Sequence, residues 1–153
     1  MVVKEVTKAT EKTQIARSIL ETLPDWFGIP AAREAYIRES TAQPFYAAFD
    51  EDRPVGFICL RGTGRDTAEL YVMGVLKGCH RNGIGRELFM KAKDAAAQAG
   101  YSFLQVKTVK MGLYEDYDNT NRFYLALGFK EFEVFPLLWD ENNPCQIYVM
   151  SLQ

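Results

Sequence analysis

Glu69-Leu70-Tyr71-Val72-Met73-Gly74-Val75, followed by Lys77-Gly78-Cys79-His80-Arg81-Asn82-Gly83-Ile84-Gly85, is the stretch whose reading decides the fold. Ala68–Leu76 alternates as a strand, with Gly74 inside it marking a bulge or the close approach of another backbone. Behind Gly83-Ile84-Gly85 an amphipathic helix follows. Ile84, Leu88, Ala92, Ala95, Ala96 and Ala99 share one face, and Gly100 stands where a helix C′ glycine belongs. A strand, a Gly-x-Gly turn and a helix bring successive backbone N–H groups to one point, at the positive end of the helix dipole. Such a turn cradles a phosphate or diphosphate, and Arg81 and Arg86 add formal charge.

Three phosphate-binding turns compete for this pattern. A nucleoside-triphosphate loop requires Lys-Ser/Thr after its last glycine, and both are absent. A dinucleotide fingerprint requires a third glycine where Leu88 stands. A coenzyme A diphosphate turn, Gln/Arg-x-x-Gly-x-Gly/Ala, fits Gly83 and Gly85, with His80 in the place of the usual Gln or Arg.

Outward from this segment, Val2–Val6 reads as a first strand and Lys8 to Leu23 as a helix closed by Pro24. Asp25–Pro30 reads as an aromatic loop, and a second helix runs from Pro30 to about Ser40. Phe45–Phe49 and Val55–Arg61 form a hairpin about Asp50–Pro54 and continue into the Ala68–Leu76 strand. After the long helix come a strand at Phe103–Thr108, a short helix near Asn119–Leu127 closed by Gly128, and strands at Phe129–Phe135 and Gln146–Leu152. The order is β-α-α-β-β-β-α-β-α-β-β, a mixed α/β (α+β) arrangement. No repeat or linker divides residues 1–153, which read as one domain.

Composition narrows the function. The 153 residues carry 18 Lys+Arg against 20 Asp+Glu, a net charge of −2 that argues against binding nucleic acid. No run approaches the ~20 apolar residues of a membrane span, so no membrane partner is expected. The opening residues do not form a signal peptide. Three scattered cysteines (Cys59, Cys79 and Cys145) and the single His80 make neither a zinc site nor a disulfide framework. The expected compartment is the cytoplasm, and no metal is expected.

The run from Glu69 to Val75 through His80-Arg81-Asn82-Gly83-Ile84-Gly85 resembles the acetyl-CoA motif of the GNAT N-acetyltransferases. Phe123-Tyr124-Leu125-Ala126-Leu127-Gly128-Phe129 resembles that superfamily's second signature, aromatic-Tyr-x-x-x-Gly-Phe. The resemblance implies a mostly antiparallel sheet of about seven strands with about four helices, splayed between the fourth and fifth strands. It implies acetyl-CoA as co-substrate, its pantetheine bonded to the backbone of Met73, Gly74 and Val75, and its diphosphate held by His80, Arg81, Asn82, Gly83, Ile84, Gly85 and Arg86. A bulge near Gly74 would create the splay. Phe123 belongs to the cofactor site. Tyr117 stands where relatives often have an asparagine contacting pantetheine, leaving Asn119 or Asn121 to substitute.

The implied activity is transfer of acetyl to a primary amine by direct attack in a ternary complex, on a small molecule rather than a protein. Glu69 matches the spacing of a catalytic glutamate in the histone-acetylating branch, against the alternative of a solvent-facing strand residue. Tyr124 matches the tyrosine beside the thioester sulfur. Walls for the acceptor are expected from Trp26, Phe27, Glu34 and Tyr36, and from Tyr114–Tyr117 and Trp139–Glu141. Their acids and aromatics suit a cationic amine. A homodimer through the C-terminal strand is one partner option. A non-catalytic acyl-CoA sensor is the alternative function.

Overall fold

The computed structural model describes residues 1–80 and 82–153. Seven strands form one sheet in the order β1-β2-β3-β4-β5-β7-β6. They are β1 (Val2–Glu5), β2 (Phe45–Asp50), β3 (Arg53–Gly62), β4 (Thr67–Val75), β5 (Phe103–Val109), β6 (Lys130–Asp140) and β7 (Asn143–Ser151). All neighbours are antiparallel except β4 and β5. The helices are α1 (Ala9–Leu20), α2 (Pro24–Phe27), α3 (Pro30–Ser40), α4 (Ile84–Gln98) and α5 (Glu115–Leu127), with a 3-10 turn at Lys77–Cys79.

Side-chain alternation sorts the core onto the two faces of the sheet. Phe45, Ala47, Phe57 and Cys59 point to α1 and α3, where Ile15, Ile19, Leu20 and Ile37 meet them. Their neighbours Tyr46, Ala48, Ile58 and Leu60 point the other way, against Ile84, Leu88, Phe89 and Ala92 of α4 and Tyr124 of α5. A strand covered on both faces needs apolar residues without interruption, which is why β3 is buried continuously from Val55 to Leu60.

Between β4 and β5 only three pairs form: Thr67 with Phe103, Ala68 with Leu104, and Glu69 with Gln105. Beyond them β4 stays with β3 as far as Val75, while β5 follows β7 to the Val109–Cys145 pair. A wedge-shaped gap therefore opens after Glu69, between the fourth and fifth strands, where the resemblance implies a splay. The bulge lies elsewhere than expected. Cys59 faces Val72 and Leu60 faces Leu70, so the extra residue is Tyr71, not Gly74. Gly74 serves close approach instead. A Cβ there would stand 3.0 Å from Ile19 Cγ2 and 3.3 Å from side-chain carbons of Leu20 and Leu23.

Several boundaries differ from the sequence reading for local reasons. The first helix stops at Leu20, because Leu23 precedes a proline and adopts φ −120° and ψ 57°; Pro24 then opens the extra turn α2. Helix α5 begins four residues early, its first turn stabilised by Glu115, Asp116 and Asp118 at the positive end of the dipole. Strand β6 runs on to Asp140, whose carboxylate accepts from the Asn142 N–H at 2.9 Å and from Asn143 Nδ2 at 3.1 Å, tightening the hairpin. Trp139 and Asp140 are thus strand residues, not loop residues.

Replacing Gly74 with Ala should push α1 off β4 and lower unfolding free energy by about 1–3 kcal/mol. Urea denaturation, with a lower midpoint and an unchanged slope, is the check; an unchanged midpoint would show that the approach is not tight.

Candidate active site

The open edge of β4 borders the gap. Leu76 N–H donates to Val55 O at 2.9 Å, and backbone pairing alternates along antiparallel strands. Gly74 and Val72 therefore turn their peptide groups toward β3, while Met73 and Val75 turn theirs toward the gap. Of the three residues expected to offer backbone hydrogen bonds, Met73 and Val75 face the opening and Gly74 does not. The Val75 carbonyl is already taken, because His80 Nε2 lies 2.7 Å from it. A carbonyl only accepts, so Nε2 carries the hydrogen.

Below the gap, Gly83 caps α4 with φ +77°, a conformation that glycine adopts freely, and its carbonyl accepts from Glu87 N–H at 3.1 Å. The N–H groups of Ile84, Gly85 and Arg86 have no partner within the helix. Ile84 buries its side chain in the core, so its contribution to an anion is its backbone. Asn82 and Arg86 are exposed beside this turn. Arg81 lies outside the described residues. Gly85 brings the two sequence motifs together: a Cβ there would stand 3.1 Å from Phe123 Cζ and 3.4 Å from Met73 Cε.

Tyr124 approaches from α5. It is 8% exposed and packs against Phe123, Phe129 and Tyr148. Burial, reinforced by the negative charge of Glu69, pushes its phenol well above the ordinary range. Asn121 and Asn119 are placed differently from each other. Asn121 is fully buried; its Nδ2 donates to Val109 O at 2.9 Å and to Tyr117 O at 2.7 Å, and its Oδ1 accepts from Tyr148 Oη at 2.5 Å. It braces α5 against β5 and β7, and its amide has no N–H left for a pantetheine. Asn119 is exposed and accepts from Arg122 Nη1 at 2.9 Å.

On the α3 side of the sheet, three charged side chains from adjacent strands converge. Glu69 is 3% exposed, so it is not a solvent-facing strand residue. Its Oε1 accepts from Arg61 Nη2 at 2.9 Å and from Lys107 Nζ at 3.4 Å. The Arg61 guanidinium also lies 4.1 Å from the centre of the Tyr71 ring, whose hydroxyl donates to Glu39. These groups floor a cavity of about 210 Å³ walled by Tyr36, Leu138 and Trp139.

Of the acceptor-wall residues expected from sequence, Tyr36 and Trp139 line this cavity. Glu34 instead pairs with Arg17 at 2.9 Å. Arg61 and Lys107 were missed. Their signal was available in strand alternation, which puts both on the face opposite Leu60 and Val106, but it needed the register that pairs Arg61 with Glu69.

Helix α2 joins both lips of the gap. Asp25 accepts from Lys77 Nζ at 2.5 Å, and the Trp26 ring meets His80 edge-on at 6.0 Å. On the other lip, Trp26 Nε1 donates to Thr120 Oγ1 at 3.2 Å and Tyr117 Oη donates to Trp26 O at 3.0 Å. Among the described residues, no cluster of three or more His, Cys, Asp or Glu side chains could hold a metal ion, and no helix is long and apolar enough to cross a membrane.

Residues 13–129 match the model of the acetyltransferase (GNAT) family. The chain belongs to the GNAT acetyltransferase family. Its fold is that of solved GNAT structures. A GNAT-family protein from Desulfovibrio desulfuricans superimposes with TM-score 0.85 at 19% identity, covering 99% of this chain and 100% of that one. An aminoglycoside 6'-N-acetyltransferase complexed with coenzyme A gives 0.77 at 20% identity, with 100% and 98% covered. The aminoglycoside 6'-N-acetyltransferase from Enterococcus faecium gives 0.78 at 22%, also with 100% and 98% covered. No curated protein matches the chain in sequence.

Two outcomes follow from this geometry. Asn121→Ala strands the Val109 carbonyl and the Tyr148 hydroxyl, and should lower unfolding free energy by about 2–4 kcal/mol in urea melts. In a difference titration of the parent against Tyr124→Phe, the tyrosinate absorbance should show no step up to pH ~10, where an ordinary phenol is half ionised. A step there would place the hydroxyl in water.

Proposed function

We propose that this GNAT protein moves acetyl from acetyl-CoA to the primary amine of a small molecule, by direct attack in a ternary complex. The observation that carries this reading is the open β4 edge, which runs from Glu69 past Met73 and Val75 to the N–H groups at the start of α4, which have no partner among the described residues. The pantetheine lies along that edge, and the diphosphate takes the N–H groups of Ile84, Gly85 and Arg86. A side chain at position 85 would crowd Phe123 and Met73, so glycine keeps that approach clear. The coenzyme A complex of the aminoglycoside enzyme with the same fold supports this cofactor. The aminoglycoside acetyltransferases also favour a small acceptor.

The amine is the harder problem. At pH 7 an alkyl amine of pKa ~10.4 is about one part in a thousand neutral, a handicap of ~4–5 kcal/mol. Glu69 Oε2 takes no hydrogen bond among the described residues and relays the proton through water. The neutral nitrogen attacks the thioester carbon, and the oxyanion is met by the Met73 N–H on the open β4 edge. Collapse breaks the carbon–sulfur bond, and Tyr124 donates a hydrogen bond to the departing sulfur. An ordinary phenol faces a thiol of pKa ~8.5 at a deficit of about 2 kcal/mol, and burial raises Tyr124 further, so it donates without surrendering its proton.

Acetyl-CoA should bind in calorimetry, and a broad amine panel should release CoA thiol. Tyr124→Phe should lower kcat roughly 10²-fold, with a far smaller effect on the KM of acetyl-CoA. Binding without turnover of any amine would assign the chain to acyl-CoA sensing instead.

A further inference from the structure

The charges lining the acceptor cavity do not fit a polycationic amine. Arg61 and Lys107 contribute two positive charges and Glu69 one negative, and both cations converge on a single oxygen of that carboxylate. One bond to Glu69 leaves most of the guanidinium's five N–H donors, and two of the ammonium's three, without a partner among the described residues. Both side chains keep contact with solvent, at 39% and 22% exposure, while the Glu69 side chain is 4% exposed. Glu39, which accepts from Tyr71 at the rim, is solvent-exposed, and its charge is screened.

The pocket is thus a carboxylate at the bottom flanked by two incompletely used cations. We propose that the acceptor is a small amine bearing its own carboxylate, an amino acid in chemical class, with Arg61 and Lys107 binding that carboxylate. This rests on the acetyltransferase reading and names the acceptor of the same site. The cavity of about 210 Å³ is small and places all three charged groups within reach of one acceptor. Its remaining walls are Tyr36, Leu138 and Trp139, so the side chain favoured is apolar or aromatic.

The placement also orients the reaction. With the carboxylate on Arg61 and Lys107, the amino group two bonds away lies beside Glu69, on the side of the gap from which the thioester arrives. The amine nitrogen gains the acetyl carbon and that carbon loses sulfur; one ammonium proton leaves through water before attack, a second leaves the nitrogen as the amide forms and reaches the thiolate through water, and the products are an N-acetyl amino acid and CoA thiol.

The test is a panel of α-amino acids with apolar and aromatic side chains. Each is paired with its carboxamide and its decarboxylated amine, and thiol release is the readout. The acid should exceed both partners in kcat/KM by at least tenfold. Lys107→Gln should shrink that ratio toward one, and Lys107→Arg, which retains the charge, should restore it; the ratio is insensitive to a general loss of folded protein. Turnover of the carboxamide or decarboxylated amine as fast as the acid overturns the proposal alone. Failure of every amine to release thiol, together with no binding of acetyl-CoA, overturns it along with the acetyltransferase reading.

Discussion

The parting of β4 from β5 after three backbone pairs is the constraint on which everything else depends. A parallel pair continued to its full length would have saturated the β4 edge and closed the sheet. Because β5 is held by β7 and β4 by β3, the two strands are drawn apart, and the peptide groups of Met73 and the N–H of Val75 are left facing the gap. An unpaired strand edge inside a sheet is normally a liability. Here it ends at a helix whose first N–H groups have no partner among the described residues, and together they line one continuous polar track.

The gap also joins the two faces of the sheet. Tyr124 belongs to the α4 and α5 face, and Glu69 with its two cations to the α1 and α3 face, yet Glu69 contributes to the raised affinity of the Tyr124 phenol for its proton. Burying Glu69 required compensation. The register supplies it, since Arg61 pairs directly with Glu69 across β3 and β4, while Lys107 stands two residues beyond Gln105, the β5 partner of Glu69.

Much of this was legible in the chain. Gly83 and Gly85, the helix they open, the closing glycines Gly100 and Gly128, and the Phe123–Phe129 signature are local features, and local sterics decide them. The cavity over Glu69 was not legible to the same degree. Arg61 and Lys107 are 46 positions apart in sequence and become neighbours of one carboxylate only through pairing across β4. Asn121 looked like a polar helix residue available to a ligand; its burial depends on Val109 and Tyr148 arriving from two strands. Strand β6 was underestimated because Pro136 and the exposed Leu137 and Leu138 break strand alternation at the sheet edge.

His80, the departure from the usual first residue of the diphosphate turn, has a consistent physical role. Its Nε2–H satisfies the last outward-facing carbonyl of β4, at Val75, and its ring supplies the surface on which Trp26 rests. Through Trp26 the same residue is coupled to Thr120 and Tyr117 of α5, on the opposite lip. Gln or Arg could reach the carbonyl but would present no comparable aromatic edge. His80 thus ties the β4 end to α2, and through Trp26 to α5.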